Sequence, residues 1–164
     1  MSTHVILISI GSNIDREHYT RRSVVALKQH FQNVEVSSVY ESEAVGFSGN
    51  PFYNLVARAT TDMNMEDVCA TLKGIEKDNG RVHSDKKFCA RTLDLDLLTY
   101  DSKITDSPIV LPREEITYNA FVLWPLAELV PDDIHPETKQ TYAEMWHAFD
   151  KQKQQLWPVD FTWS

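Results

Sequence analysis

The residues Phe88-Cys89-Ala90-Arg91-Thr92-Leu93-Asp94-Leu95-Asp96-Leu97-Leu98-Thr99-Tyr100 carry the strongest pattern in the chain. From Leu93 onward they alternate with a period of two. Leu93, Leu95 and Leu97 fall on one face of a strand, and Asp94 and Asp96 on the other. Thr99 and Tyr100 extend the run with strand-favouring side chains. Two carboxylates at i and i+2 stand about 7 Å apart at the backbone, from two rises of roughly 3.3 Å. Their side chains can converge on a divalent cation or on a pair of cations. Mg²⁺, a hard ion, is commonly held by one or two carboxylates together with phosphate oxygens and water. Arg91 stands at the mouth of the strand, where a guanidinium can grip a phosphate in bidentate fashion. Cation, carboxylate pair and arginine together suggest nucleotide phosphoryl chemistry.

An Asp-x-Asp pair also occurs as the plain solvated face of a half-exposed strand. Against that reading, Asp is depleted in strands, and like charges on one face repel unless something positive sits between them.

The 164 residues fit one domain with a single sizeable core. A hydrophobic share of 42% with 24% charged residues is ordinary for a globular protein. The net charge of −8 argues against a general nucleic-acid binder. An acidic protein that binds an anionic nucleotide needs local Arg or Lys, or a metal. No run approaches the roughly 18 apolar residues of a membrane span, and the N-terminus lacks a signal-peptide pattern. Cys69 and Cys89 show no zinc spacing, so a reduced, cytoplasmic protein is expected.

Along the chain, His4 to Gly11 reads as a first strand, apolar enough to be buried on both faces. Gly11-Ser12-Asn13 reads as a break after it. Tyr19 to Phe31 is a helix with Val24, Val25, Leu27 and Phe31 on its apolar side. Val34 to Tyr40 and Phe52 to Thr61 are strands forming a hairpin, joined by a long loop with Gly46 and Gly49. Asn64 caps a helix with Val68, Leu72 and Ile75 buried, and Gly80 ends it. Glu76, read alone, is solvated. Arg81, His83, Lys86 and Lys87 form the densest positive stretch and lead into Arg91, which favours a phosphate-closing loop over a merely solvated one. Ile104 to Leu111 is an edge segment interrupted by Pro108. Asn119 to Leu129 is apolar, and Thr138 to Phe149 is a last amphipathic helix. Residues 150–164 form a tail that packs back on the body or docks on a partner. The order strand, helix, strand, strand, helix, strand, then helices is an α+β pattern of the ferredoxin-like kind, a mainly antiparallel sheet with helices on one face.

Arg91 followed by Asp94-Leu95-Asp96-Leu97-Leu98 resembles the signature of the 6-hydroxymethyl-7,8-dihydropterin pyrophosphokinase (HPPK) family of folate synthesis. Gly11-Ser12-Asn13 after the first strand and the Phe121-Val122-Leu123-Trp124-Pro125-Leu126 block support the resemblance, which covers about residues 5–149. It implies an ATP-dependent pyrophosphokinase, a diphosphotransferase that gives AMP and the pterin diphosphate. It implies two Mg²⁺ ions on Asp94 and Asp96, and ATP contacts from Arg81, His83, Lys86, Lys87, Arg91, Arg113 and Glu76. Arg81 and Arg91 join the aspartates as catalytic residues. In the family the Glu at position 76 helps position the segment after it. The pterin pocket implied comprises Ser42, Glu43, Val45, Asn54, Phe88 and Phe121. The Asn54 carboxamide matches the donor–acceptor edge of a pterin.

The chain departs from the family pattern at several places. Ser42-Glu43 stand where Thr-Pro is usual, His83 where Arg is usual, and Phe88-Cys89-Ala90 where an aromatic is followed by Gly-Pro. Arg113 replaces a family His, and Asn119 replaces a family Arg. These changes keep two alternatives open: a divergent relative acting on a modified pterin, and a non-catalytic pterin- or nucleotide-binding module. The expected partners are small molecules only, with no nucleic acid and no membrane, and the expected state is a monomer.

Overall fold

Strand β1 (His4–Ser12) is an interior strand of the sheet, and its composition explains why. Ile6, Ile8 and Ile10 point to one face and Leu7 to the other, and all four are buried. The computed structural model describes residues 3–13, 15–42, 52–79, 93–107, 109–150 and 156–161. The elements after β1 are α1 (Arg16–His30), β2 (Gln32–Val36), β3 (Val39–Ser42), β4 (Phe52–Thr61), α2 (Met65–Asp78) and β5 (Asp94–Tyr100). Then come α3 (Glu115–Tyr118), α4 (Ala120–Leu129), α5 (Tyr142–Ala148) and β6 (Leu156–Val159). The strand order is β5-β1-β4-β3-β6, with β2 also on β4, and the pairings are antiparallel. With β2 and β3 counted as one interrupted strand, this is the expected ferredoxin-like arrangement.

Helices cover both faces rather than one. Ile6, Ile8, Ile10, Leu55, Leu93, Leu95 and Leu97 pack against α1 and α2 through Val24, Leu27, Val68, Leu72 and Ile75. Leu7, Val56 and Leu98 pack on the opposite face against Ile116, Leu123, Leu126, Tyr142 and Met145. Burying a side chain such as Leu27 or Leu126 contributes roughly 2 kcal/mol. Two sets on alternating positions therefore require a layer on each side.

Several boundaries differ from those expected. Gly11 and Ser12 remain within β1, so the first strand does not break at the glycine. The expected strand 34–40 divides at Ser37-Ser38, where the Ser37 hydroxyl takes the Val56 N–H. In α1 the buried stripe is Thr20, Ser23, Val24 and Leu27, whereas Val25 is 57% exposed. The segment around Thr105 and Leu111 folds on itself through a single antiparallel bridge instead of joining the sheet. Helix α5 starts at Tyr142 because Thr141 and Glu144 close a capping box. The tail packs back: β6 pairs with β3, and Phe161 meets the Tyr53 ring edge-on. Asn64 caps α2 as expected, accepting the Asp67 N–H at 2.8 Å. The expected helix stop at Gly80 lies outside the described residues.

His135 is 2% exposed, and its Nδ1 accepts the N–H groups of Glu137 and Thr138 at 3.2 and 3.1 Å. Burial holds its pKa below the ordinary 6.5, only partly opposed by Glu137. The folded chain therefore resists a proton that the unfolded chain accepts. Stability is expected to fall as pH drops below about 6.5, by at most about 1.4 kcal/mol per pH unit. Urea midpoints between pH 7.5 and 5.5 check this, and His135→Asn should flatten the slope.

Candidate active site

Three strands lay down the floor of the site. Gly11 of β1 is paired with Asn54 of β4 on one side and with Asp94 of β5 on the other. One rung along, Ser9 lies between Val56 and Asp96. These positions belong to the face that α3, α4 and α5 cover further along through Leu7, Val56 and Leu98. Asp94 and Asp96 thus share one face, while Leu93, Leu95 and Leu97 anchor the strand from the other, as the alternation implied. Gly11 contributes no side chain, so bare backbone separates Asn54 from Asp94. A Cβ there would stand 3.5 Å from Asn54 Oδ1, an ordinary contact. The glycine therefore leaves room above the floor without being demanded by its own backbone.

Strand β5 is an edge strand, and edge N–H and C=O groups need partners. Glu76 supplies one. Its side chain is buried, and Oε2 accepts the Leu95 N–H at 2.7 Å. Glu76 is thus neither solvated nor on the open face with the aspartates; it fixes the residue between them. The main chain of Arg113 supplies the other partner, donating its N–H to the Leu98 carbonyl at 2.9 Å. Leu98 is the extra residue of β5 where the register with β1 shifts between Leu7 and Ile8. That bulge also turns Tyr100, instead of Thr99, toward the α1–α2 core.

Anchored this way, the Arg113 side chain returns over the carboxylates. Its Nη2 lies 3.5 Å from Asp96 Oδ1, and its Nε donates to Glu115 Oε1 at 2.9 Å. Burial opposes the charge on Arg113, but Asp96, Glu115 and Asp94 outweigh it and raise its pKa above the ordinary value. The positive group that two like charges on one face require is therefore present among the described residues.

Asn119 caps α4: its Oδ1 accepts the Phe121 N–H at 3.0 Å. Phe121 lies in the first turn, partly buried and outside both cores. Asn119→Ala is expected to cost about 1 kcal/mol and to loosen that turn. Asn119→Asp should retain the cap; urea unfolding of both variants checks it.

Pattern reading missed the clamp that holds α4 over the sheet. Glu128 accepts the Ser38 N–H and hydroxyl, each at 3.0 Å, and the Tyr40 hydroxyl. Burial first, then Glu128, pushes the Tyr40 phenol well above its ordinary pKa. Tyr40 pairs with Asn54 across β3 and β4, so the clamp and the site floor share a rung. The apolar run 119–129 signalled α4 but not this charged partner on its far turn.

Ser42 pairs with Phe52 at the open end of the β3–β4 hairpin. Glu43, Val45, Gly46, Gly49, Arg81, His83, Lys86, Lys87, Phe88, Cys89 and Arg91 lie outside the described residues. The structure therefore brings Asp94, Asp96 and Arg113 together, with Asn54 across Gly11, and sets Glu76 behind them.

The arrangement suits a divalent cation that brings ligands with it. Among the described residues, no group of three or more His, Cys, Asp or Glu side chains could hold a metal. Two hard carboxylates match an ion such as Mg²⁺ whose remaining ligands are phosphate oxygens and water.

Comparison with known proteins gives the same direction. The family model described as 7,8-dihydro-6-hydroxymethylpterin-pyrophosphokinase (HPPK) matches residues 7–131. The chain belongs to the HPPK family. Among curated HPPK-family relatives, a 2-amino-4-hydroxy-6-hydroxymethyldihydropteridine pyrophosphokinase of Aquifex aeolicus is 31% identical over 143 residues, covering 85% of this chain and 88% of its own. The Bacillus subtilis protein of the same name is 32% identical, covering 87% of this chain and 90% of its own. The fold is shared with wild-type Plasmodium falciparum HPPK-DHPS bound to pteroate, at a TM-score of 0.72 and 12% identity over 89% of this chain. The chain spans only 42% of that HPPK-DHPS chain. No helix among the described residues is long and apolar enough to cross a membrane.

Proposed function

We propose that this chain transfers pyrophosphate from ATP to 6-hydroxymethyl-7,8-dihydropterin, giving AMP and the pterin diphosphate of folate synthesis. The observation that carries this reading is the Asp94–Asp96 pair beside Arg113 on the open face next to Gly11 and Asn54, in a chain of the HPPK family.

The hydroxymethyl oxygen of the pterin forms a bond to the β-phosphorus. The bond from that phosphorus to the oxygen bridging the α-phosphate breaks, and AMP departs with the bridging oxygen. The hydroxyl proton passes to solvent. Asp94 and Asp96 would hold two Mg²⁺ ions, which when bound would neutralise the triphosphate and polarise the attacked phosphoryl group. Arg91, Arg81, Lys86, Lys87 and Arg113 stabilise charge on the transferring group, and His83 joins them at the ATP. Asn54 reads the amide-like edge of the pterin, and Phe121 and Phe88 stack on its ring, with Ser42, Glu43 and Val45 at the rim. The enzyme works as a monomer in the cytoplasm. Sedimentation tests the monomer.

The test is AMP release from ATP and Mg²⁺, with and without the pterin. Pterin-dependent AMP is the expected result. ATP binding without AMP would mean a binding module instead. The position of Asn119 as a helix cap rather than a cation favours one second reading, an enzyme for a modified pterin. Relative kcat/KM across several 6-substituted pterins distinguishes it.

A further inference from the structure

We propose that Arg113 is a built-in counter-ion that pairs with Asp96, next to Asp94, before nucleotide arrives, so that the site takes its cations together with the triphosphate and not beforehand. The proposal rests on the reading of Asp94 and Asp96 as the cation ligands, and it goes beyond that reading to the order in which the ligands assemble.

Three features place Arg113 in this role. Its backbone is tied to β5 itself, through its N–H on the Leu98 carbonyl at 2.9 Å, so the side chain starts from a fixed point beside the aspartates. Its guanidinium is shared between Asp96, at 3.5 Å, and Glu115, at 2.9 Å. The shorter, better-aligned bond is to Glu115, which leaves the longer Asp96 contact as the one that can be exchanged. Both ends are part-exposed, with side-chain accessibilities of 34% for Arg113 and 28% for Asp96. Exchange there requires no opening of the core.

The electrostatics then set the order. A bare divalent cation approaching Asp96 meets a fixed positive charge a few ångströms away, and that repulsion subtracts from its binding. A cation that comes with a triphosphate brings a net negative charge. The guanidinium can leave Asp96 for a phosphate oxygen while still held by Glu115, so repulsion becomes attraction. Glu115 keeps Arg113 close in either state, which makes it the positioning residue of the pair.

The probe is Mn²⁺, which shares the oxygen-ligand preference of Mg²⁺ and is counted directly by electron paramagnetic resonance. It is titrated into the full chain without nucleotide, and again with α,β-methylene-ATP, which does not transfer pyrophosphate. Arg113→Gln is expected to bind Mn²⁺ about five- to twentyfold more tightly than the wild type without nucleotide, because one opposing charge is gone. Arg113→Lys keeps the charge and should bind as weakly as the wild type. With the analogue present, the advantage of Arg113→Gln should vanish or reverse. The double variant Arg113→Gln/Glu115→Gln should retain the gain. A gain lost in the double variant would put the cation on Glu115 and overturn the proposal. Equal Mn²⁺ affinity in the wild type and Arg113→Gln, with Asp96→Ala still abolishing binding, would overturn the counter-ion role and leave the aspartates as ligands. Unchanged binding in Asp96→Ala would remove both.

Discussion

Asp96→Ala is expected to lower kcat/KM for AMP formation by at least about 1,000-fold, roughly 4 kcal/mol of transition-state stabilisation. Asp94→Ala should fall in the same range. The two carboxylates are the hard oxygen donors that the described part of the open face supplies in a pair, and a triphosphate without its cations keeps the charge that repels an attacking hydroxyl. The fold should hardly notice. Asp96 lies on the outer face of β5, while Leu95 and Leu97 carry the packing on the other face. Its ion pair with Arg113 is part-exposed, and a pair of that kind is worth about 1 kcal/mol or less. Steady-state AMP release and urea unfolding on the same preparation separate the two effects. Full activity in either variant would remove the aspartates from the reaction, and a collapsed fold would show that they act in stability instead.

The parts of the site that repeat with a short period are legible in the sequence alone. Leu93 to Leu97 place the two aspartates on one face because strand geometry leaves no other option, and the structure shows both part-exposed there. Strand β1 also announced, by its near-continuous apolar run, that both faces of the sheet are covered. The element order implies helices on one face, and the local signal of β1 is the better guide. What could not be read is what depends on contacts across the fold. Glu76 looks like a solvated residue late in α2 until β5 is laid beside it and the Leu95 N–H needs an acceptor. Arg113 is singled out by the resemblance alone, and its tie to β5 is hidden until the bulge at Leu98 offers a carbonyl to its backbone. Glu128 sits at the polar end of α4, and only the packing of α4 on β3 brings it to Tyr40 and Ser38. The Thr141–Glu144 capping box, by contrast, was available as a local motif, and it marks the start of α5 that amphipathic spacing placed too early.

Glu76→Ala should be the most destabilising of the single changes considered. The side chain is 4% exposed, and its bond to the Leu95 N–H is short and charge-assisted. Alanine leaves that buried donor unsatisfied at the sheet edge, which costs about 1–3 kcal/mol, and the emptied volume adds to this, for a total of about 3 kcal/mol. Glu76→Gln keeps a carbonyl oxygen at the same reach and should lose only about 1 kcal/mol. Urea midpoints rank the two, and equal stability of Glu76→Ala and the wild type would refute the edge-strand role. The kinetic signature follows from position. Leu95 lies between Asp94 and Asp96, so a shift of its backbone moves both carboxylates, and a misplacement of about 1 Å can cost on the order of 100-fold in rate. A residue that touched nucleotide would raise the KM for ATP when changed to Gln. A residue that acts through the strand lowers kcat in Glu76→Ala, recovers most of it in Glu76→Gln, and leaves the KM for ATP nearly constant in both. The second pattern is the expected one, because the carboxylate reaches β5 from its buried edge and not from the face where the aspartates stand.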